Sequence, residues 1–217
     1  MKTKIVCMGD SITEGFGIEP EESYPFVLQK LLGEEYEVIN KGVCCCTAMN
    51  LEMNGEVMGM PYVRQDRYRE ALAQKGDSYV ILLGTNDAQD GMDDVEDVID
   101  PLRNLISRKT EFKSSYQSII NSVKETAPHS TIYMGIPAPI MECIWRRHQE
   151  KYLQELLPYF TELLSANPEV KKIDIHAAFT KLPDENLRAL YQEDGLHPNA
   201  EGLKLIARTV YENVISS

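Results

Sequence analysis

The sequence predicts an α/β protein in which a parallel sheet carries helices on both faces. Three observations predict it. Short β-rich apolar runs alternate with longer helical patterns along the 217 residues, the rhythm that successive βαβ units produce. The run Tyr79-Val80-Ile81-Leu82-Leu83 is continuously apolar, as a strand covered on both faces has to be. Gly33, Gly76, Pro128 and Pro168 stand at or just past the ends of the helical patterns, where helices stop.

In chain order, residues 4–8 read as a first strand and 24–32 as a helix. A second strand at 36–40 is followed by a helix at 64–74, and the central strand at 78–83 by a helix at 112–126. Strands at 131–135 and 172–175 flank a helix at 147–167. A last helix covers 200–215, with Asn199 placed to accept from its first free N–H groups. Segment 87–108, acidic at first and then mixed, is the longest insertion; it suits a lid or a solvated surface helix and loop equally. There is no internal repeat or low-complexity linker, and the length suits one domain spanning 1–217.

An apolar share of 43% supplies an ordinary core. The net charge of −12 argues against nucleic acid or an anionic membrane as partner, since both need a basic face. No apolar stretch approaches a membrane span. The polar start and the short apolar run behind it do not form a secretory signal, so a cytoplasmic chain is expected. The five cysteines are odd in number, and Cys44, Cys45 and Cys46 are consecutive. That pattern suits a reducing compartment better than a disulfide framework. It also lacks the C-x-x-C spacing of a metal site, so buried small side chains are expected, with no metal.

Loops after the C-terminal ends of parallel strands converge on one edge of the sheet. Ser11 follows the first strand, Cys44-Cys45-Cys46 the second and Asn86 the third, so all should meet at one rim. Ser11 lies in Met8-Gly9-Asp10-Ser11-Ile12-Thr13-Glu14-Gly15, a strand-to-helix turn whose free N–H groups suit a developing oxyanion. The same residues also suit a plain helix cap. A phosphate loop is excluded by spacing: neither G-x-x-x-x-G-K-[ST] nor G-x-G-x-x-G is present. Gly84-Thr85-Asn86-Asp87 reads as a turn, or as a turn that aims the Asn86 amide at the rim.

Of four histidines, His197 stands out, because Asp194 lies three residues before it and Pro198 favours an extended backbone there. Asp194 could accept from Nδ1 while Nε2 faces Ser11, the arrangement that serine acyl transfer needs. His129 sits in a polar turn, His148 in a polar helical stretch, and His176 near enough to the rim to be an outside candidate.

Gly9-Asp10-Ser11-Ile12-Thr13, Gly84-Thr85-Asn86-Asp87 and Asp194-x-x-His197 resemble, in order and across nearly the whole chain, three sequence blocks of the SGNH (GDSL-type) hydrolases. The resemblance implies a flavodoxin-like three-layer α/β/α sandwich with a parallel five-stranded sheet. It implies Ser11 as nucleophile, His197 as base, Asp194 as its orienter and Asn86 as an oxyanion donor, with no cofactor. The family's second block usually reads N-x-G-x-S-G-x-T; here it is Asn40-Lys41-Gly42-Val43-Cys44-Cys45-Cys46-Thr47. Cys45 thus stands at the oxyanion glycine. Its backbone N–H preserves the donor, joining those of Ser11 and Asn86, but a positive φ there would strain a cysteine.

The stretches 54–62, 68–72 and 111–116 are similar to the family's bacterial branch of carbohydrate or sialate acetylesterases. A small acyl group, acetyl, on a glycan or similar small alcohol is therefore the expected substrate. A lysophospholipase or acyl-thioesterase, and a non-catalytic carbohydrate-binding relative, are the alternatives. Trp145 and Arg146 suit a pocket wall, one stacking on a sugar ring and the other pairing with a sugar carboxylate; Trp145 suits core packing equally.

Overall fold

The computed structural model describes residues 2–53, 55–57, 59–88, 101–144 and 148–216, with the backbone alone for 53 and 101–109. Its strands are β1 (Thr3–Gly9), β2 (Tyr36–Gly42), the short pair β3 (Glu52–Met53) and β4 (Glu56–Val57), β5 (Ser78–Leu82), β6 (Thr131–Ile136) and β7 (Lys171–Asp174). Its helices are α1 (Ser11–Glu14), α2 (Tyr24–Leu32), α3 (Asp66–Ala73), α4 (Pro101–Thr126), α5 (Glu150–Ala166), α6 (Ile175–Thr180), α7 (Asp184–Arg188) and α8 (Ala200–Ile215). The large sheet is parallel throughout, in the order β2-β1-β5-β6-β7. This is the flavodoxin-like three-layer sandwich. The order reverses between β1 and β5, the point outside the strands' C-terminal ends where parallel sheets of this kind bind their ligands.

Alternation along the strands builds two cores. On β1, Ile5 and Cys7 pack toward Leu28 of α2 and Leu203, Ile206 and Val210 of α8. Val6 and Met8 pack the other way, toward Ala71 of α3, Ile119 of α4 and Phe160 of α5. Successive strand residues point to opposite faces, so an unbroken apolar run fills both layers at once. On β5, Tyr79 and Ile81 serve one core while Val80 and Leu82 serve the other, all buried. Each such aliphatic side chain contributes about 1.5–3 kcal/mol, which is why β5 occupies the centre.

Every predicted strand has its counterpart, and α2 and α8 have their predicted bounds. Asn199 caps α8, its side chain accepting from the N–H groups of Glu201 and Gly202. Three predicted helices differ. α3 covers Asp66–Ala73 rather than 64–74, because Tyr62–Arg64 form a separate 3₁₀ turn and Gln65 is extended ahead of α3. α4 starts at Pro101 rather than 112, since proline at the first helical position loses no hydrogen bond. α5 starts at Glu150, with Gln149 extended at its cap, so His148 is not helical. The rest of the 87–108 insertion, residues 89–100, lies outside the described residues. Among the described residues, no helix is long and apolar enough to cross a membrane.

Candidate active site

The turn after β1 is built by contacts from its neighbours. Asp10 caps α1, its Oδ1 accepting from the Ile12 N–H at 3.0 Å, which leaves Ser11 buried at the helix start. Gly42 on β2 presses against this turn. A Cβ there would stand 2.2 Å from the Glu14 nitrogen, so the position requires glycine. Asn40 fastens the contact, donating from Nδ2 to the Thr13 carbonyl at 2.8 Å and accepting from the Gly42 N–H at 2.9 Å.

The loop after β2 carries the cysteines to the same rim. The Cys44 N–H donates to Glu14 Oε2 at 2.7 Å, and the Cys46 N–H to the Val43 carbonyl at 3.3 Å. Cys45 sits at the tip with φ 63°, in the left-handed region where cysteine carries strain. The end of β5 grips the loop from the other side. Asn86 Nδ2 donates to the Cys46 carbonyl at 3.0 Å, and the Asp87 carboxylate accepts from the N–H groups of Ala48 and Met49 at 2.9 and 2.8 Å. The Ser11 and Cys45 N–H groups have no partner among the described residues.

The loop before α8 completes the rim. Its carbonyls at Gly195 and Asp194 each accept from segment 141–144, at 3.0 Å in both cases. Gly195 has φ 75°, and a Cβ there would meet the Glu142 carbonyl at 2.2 Å. Asp194 Oδ1 accepts from the N–H groups of Leu196 and His197, and Oδ2 lies 2.5 Å from His197 Nδ1. His197 Nε2 lies 3.0 Å from Ser11 Oγ. With Nδ1–H donated to the carboxylate, Nε2 is free to accept the serine proton. Burial alone would raise the Asp194 carboxyl, but hydrogen bonds from the His197 ring and backbone outweigh it and hold it below its usual range.

Residues 7–205 match the GDSL-like lipase/acylhydrolase family. The chain belongs to that family. The acetylxylan esterase of Xylanibacter ruminicola is 30% identical over 217 residues, covering 95% of this chain and 42% of its own length. The GDSL-family chain thus spans about two fifths of that curated relative. Two solved structures share its fold. The lipase/acylhydrolase of Enterococcus faecalis is 22% identical with TM-score 0.72, covering 99% of this chain and 96% of the other. A carbohydrate acetylesterase of Sinorhizobium meliloti is 17% identical with TM-score 0.69, covering 99% of both.

The GDSL-family rim contains three groups that sequence reasoning did not single out. His148, read above as part of a polar helix, instead places Nε2 3.2 Å from Asn86 Oδ1. Burial, and then the neighbouring His197, lower its pKa, so it is neutral at neutral pH and donates from Nε2–H. The Asn86 amide is thereby held from both ends. A flipped amide would set its oxygen against the Cys46 carbonyl. Asp87 is the second missed group, organising the cysteine loop as described. Phe16 is the third, its half-exposed ring 4.7 Å from the His197 imidazole, centroid to centroid. His148 acts across 62 positions and the Asp87 carboxylate across 38 and 39, so neither role had a local signal. His176 pairs with Glu150 at 2.9 Å instead of joining Ser11. Trp145 and Arg146 lie outside the described residues.

Asp10 gives this GDSL-family turn a pH dependence. Burial pushes its carboxyl up to about 7; the Ile12 N–H opposes that shift, and the Asp87 charge adds to it. Unfolded, the group titrates near 3.9, so between about 4 and 7 the folded state holds the proton more tightly. The resulting stability is full below about pH 4 and is lost as pH rises through about 7. Denaturant titrations of wild type and Asp10→Asn at several pH values should show the wild-type advantage shrinking from about pH 4 to about pH 8. A constant difference would contradict the assignment.

Proposed function

We propose that the chain is a serine ester hydrolase that removes a small acyl group, acetyl, from a carbohydrate. The observation that carries this reading is the hydrogen-bonded line Asp194–His197–Ser11, set on the same rim as the Cys45 loop and the Asn86 amide that grips it. In this mechanism Ser11 Oγ attacks the ester carbonyl carbon while His197 Nε2 takes the hydroxyl proton. Asp194 steadies the imidazolium. The oxyanion rests on the Ser11 and Cys45 N–H groups and the second Nδ2 proton of Asn86. Collapse expels the sugar alkoxide, which takes the proton from His197. Water, deprotonated by His197, then cleaves the acyl-serine and releases acetate.

Two things support acetyl and sugar. The relatives include an acetylxylan esterase and a carbohydrate acetylesterase. A cavity of about 480 Å³, bounded by Ile140, Cys143, His148 and Lys151, opens beside the rim, within the usual size for a small-molecule site. Phe16, packed against the His197 imidazole, offers a half-exposed apolar ring face beside it.

The test is a series of p-nitrophenyl esters of increasing acyl length together with acetylated xylo-oligosaccharides. The expected result is a kcat/KM highest for acetate and falling with length, with acetate released from the oligosaccharide. Activity rising with acyl length would favour a lysophospholipase or thioesterase. Glycan binding without hydrolysis would favour a non-catalytic binding relative.

A further inference from the structure

The proposed mechanism uses the backbone N–H of Cys45, the middle one of three consecutive cysteines, and none of their sulfurs. Those sulfurs are not equivalent. Cys46 is fully buried in the core, whereas Cys45 is exposed and Cys44 partly so. The Cys44 and Cys45 sulfurs share a hydrogen bond at 3.6 Å. The loop is anchored on either side of the pair, at the Cys44 N–H by Glu14 and at the Cys46 carbonyl by Asn86. A free dithiol therefore stands at the strained tip of the loop, where Cys45 has φ 63°.

We propose that Cys44 and Cys45 are a redox modification site, converted by a peroxide into a vicinal disulfide that withdraws the Cys45 N–H from the oxyanion. The effect on turnover rests on the ester hydrolase reading; the modification itself does not. The exposed Cys45 sulfur attacks hydrogen peroxide, breaking its O–O bond and giving a sulfenic acid and one water. The Cys44 sulfur then displaces the sulfenic oxygen, forming the S–S bond and releasing a second water. In sum, two thiols are oxidised and one peroxide is reduced to two waters. Burial, with the hydrogen bond to Cys45 adding to it, pushes the Cys44 thiol up to about 12. The exposed Cys45 is therefore the thiol that meets peroxide first, and the adjacent Cys44, 3.6 Å away, is the resolving partner.

The backbone consequence follows from adjacency. A disulfide brings its sulfurs to about 2.05 Å, and its Cα atoms usually stand roughly 4.4–6.8 Å apart. Neighbouring Cα atoms are held at about 3.8 Å, so the 3.6 Å gap closes only if the torsions around the Cys44–Cys45 peptide turn. The N–H inside that closed ring is the one assigned to the oxyanion. A bridge strained in this way is also readily reduced, so the change is reversible.

The test treats the reduced protein with hydrogen peroxide, alkylates the remaining thiols and weighs the tryptic peptide spanning 42–64, which contains these three cysteines. In wild type that peptide should lose two hydrogen atoms and keep one alkylatable thiol. Hydrolysis of p-nitrophenyl acetate should fall by roughly 10²-fold and return with dithiothreitol. Cys44→Ser should start near wild-type activity, form no disulfide and keep its activity after peroxide. Three alkylatable thiols in the treated wild-type peptide would overturn the site, as would a disulfide that still forms in Cys44→Ser. A Cys44–Cys45 disulfide with unchanged turnover would overturn its effect on the oxyanion. An untreated protein without esterase activity would refute the hydrolase reading, while the peptide masses would still decide the site.

Discussion

Replacing Ser11 with alanine is expected to lower kcat for p-nitrophenyl acetate by roughly 10⁴-fold or more. The reason is geometric. The hydroxyl is the group that His197 Nε2 reaches at 3.0 Å, and His197 is oriented in turn by Asp194 at 2.5 Å. Groups linked in this way act as a unit. His197→Ala should therefore cost about as much, and Ser11→Ala/His197→Ala no more than either alone. The check is steady-state kinetics on the three variants, with circular dichroism to confirm folding. Wild-type turnover by Ser11→Ala would refute the nucleophile assignment. Losses that multiply in the double variant would mean that the two residues work separately.

Asn86→Ala is expected to reduce kcat by roughly 10²–10³-fold with KM little changed. Its amide is pinned, one Nδ2 proton on the Cys46 carbonyl and Oδ1 on His148, which leaves the other proton for charge that develops only in the transition state. A rise in KM at constant kcat would instead assign Asn86 to ground-state binding. His148→Ala removes one of the two clamps and keeps the donor, so its loss should be smaller. A thermal melt of Asn86→Ala separates lost catalysis from a loosened loop, since the variant also frees the Cys46 carbonyl.

What could be read in advance depended on the range of the interaction. The continuous apolar run of β5 has a local signature, and so does the asparagine cap of α8; both were legible. Helices of four to six residues, such as α1, α7 and α6, complete too few turns to show periodicity. The positions of Ser11, Asn86, Asp194 and His197 at the sheet's rim were legible because each sits in a motif at a strand end or helix start. The left-handed backbone expected to strain Cys45 is present. The roles of His148 and of the Asp87 carboxylate were not legible, because the first depends on a contact 62 positions away and the second on N–H groups 38 and 39 positions away. Neither spacing leaves a trace in local composition.

The Ser11–His197 contact joins positions 186 apart. During synthesis Ser11 therefore leaves the ribosome long before residue 197 is made, and on the proposed mechanism any fragment ending ahead of His197 carries a hydroxyl without its base. On that mechanism reactivity is withheld until the sheet has closed and α8 has docked beside α2, a late step because distant segments are slow to find each other.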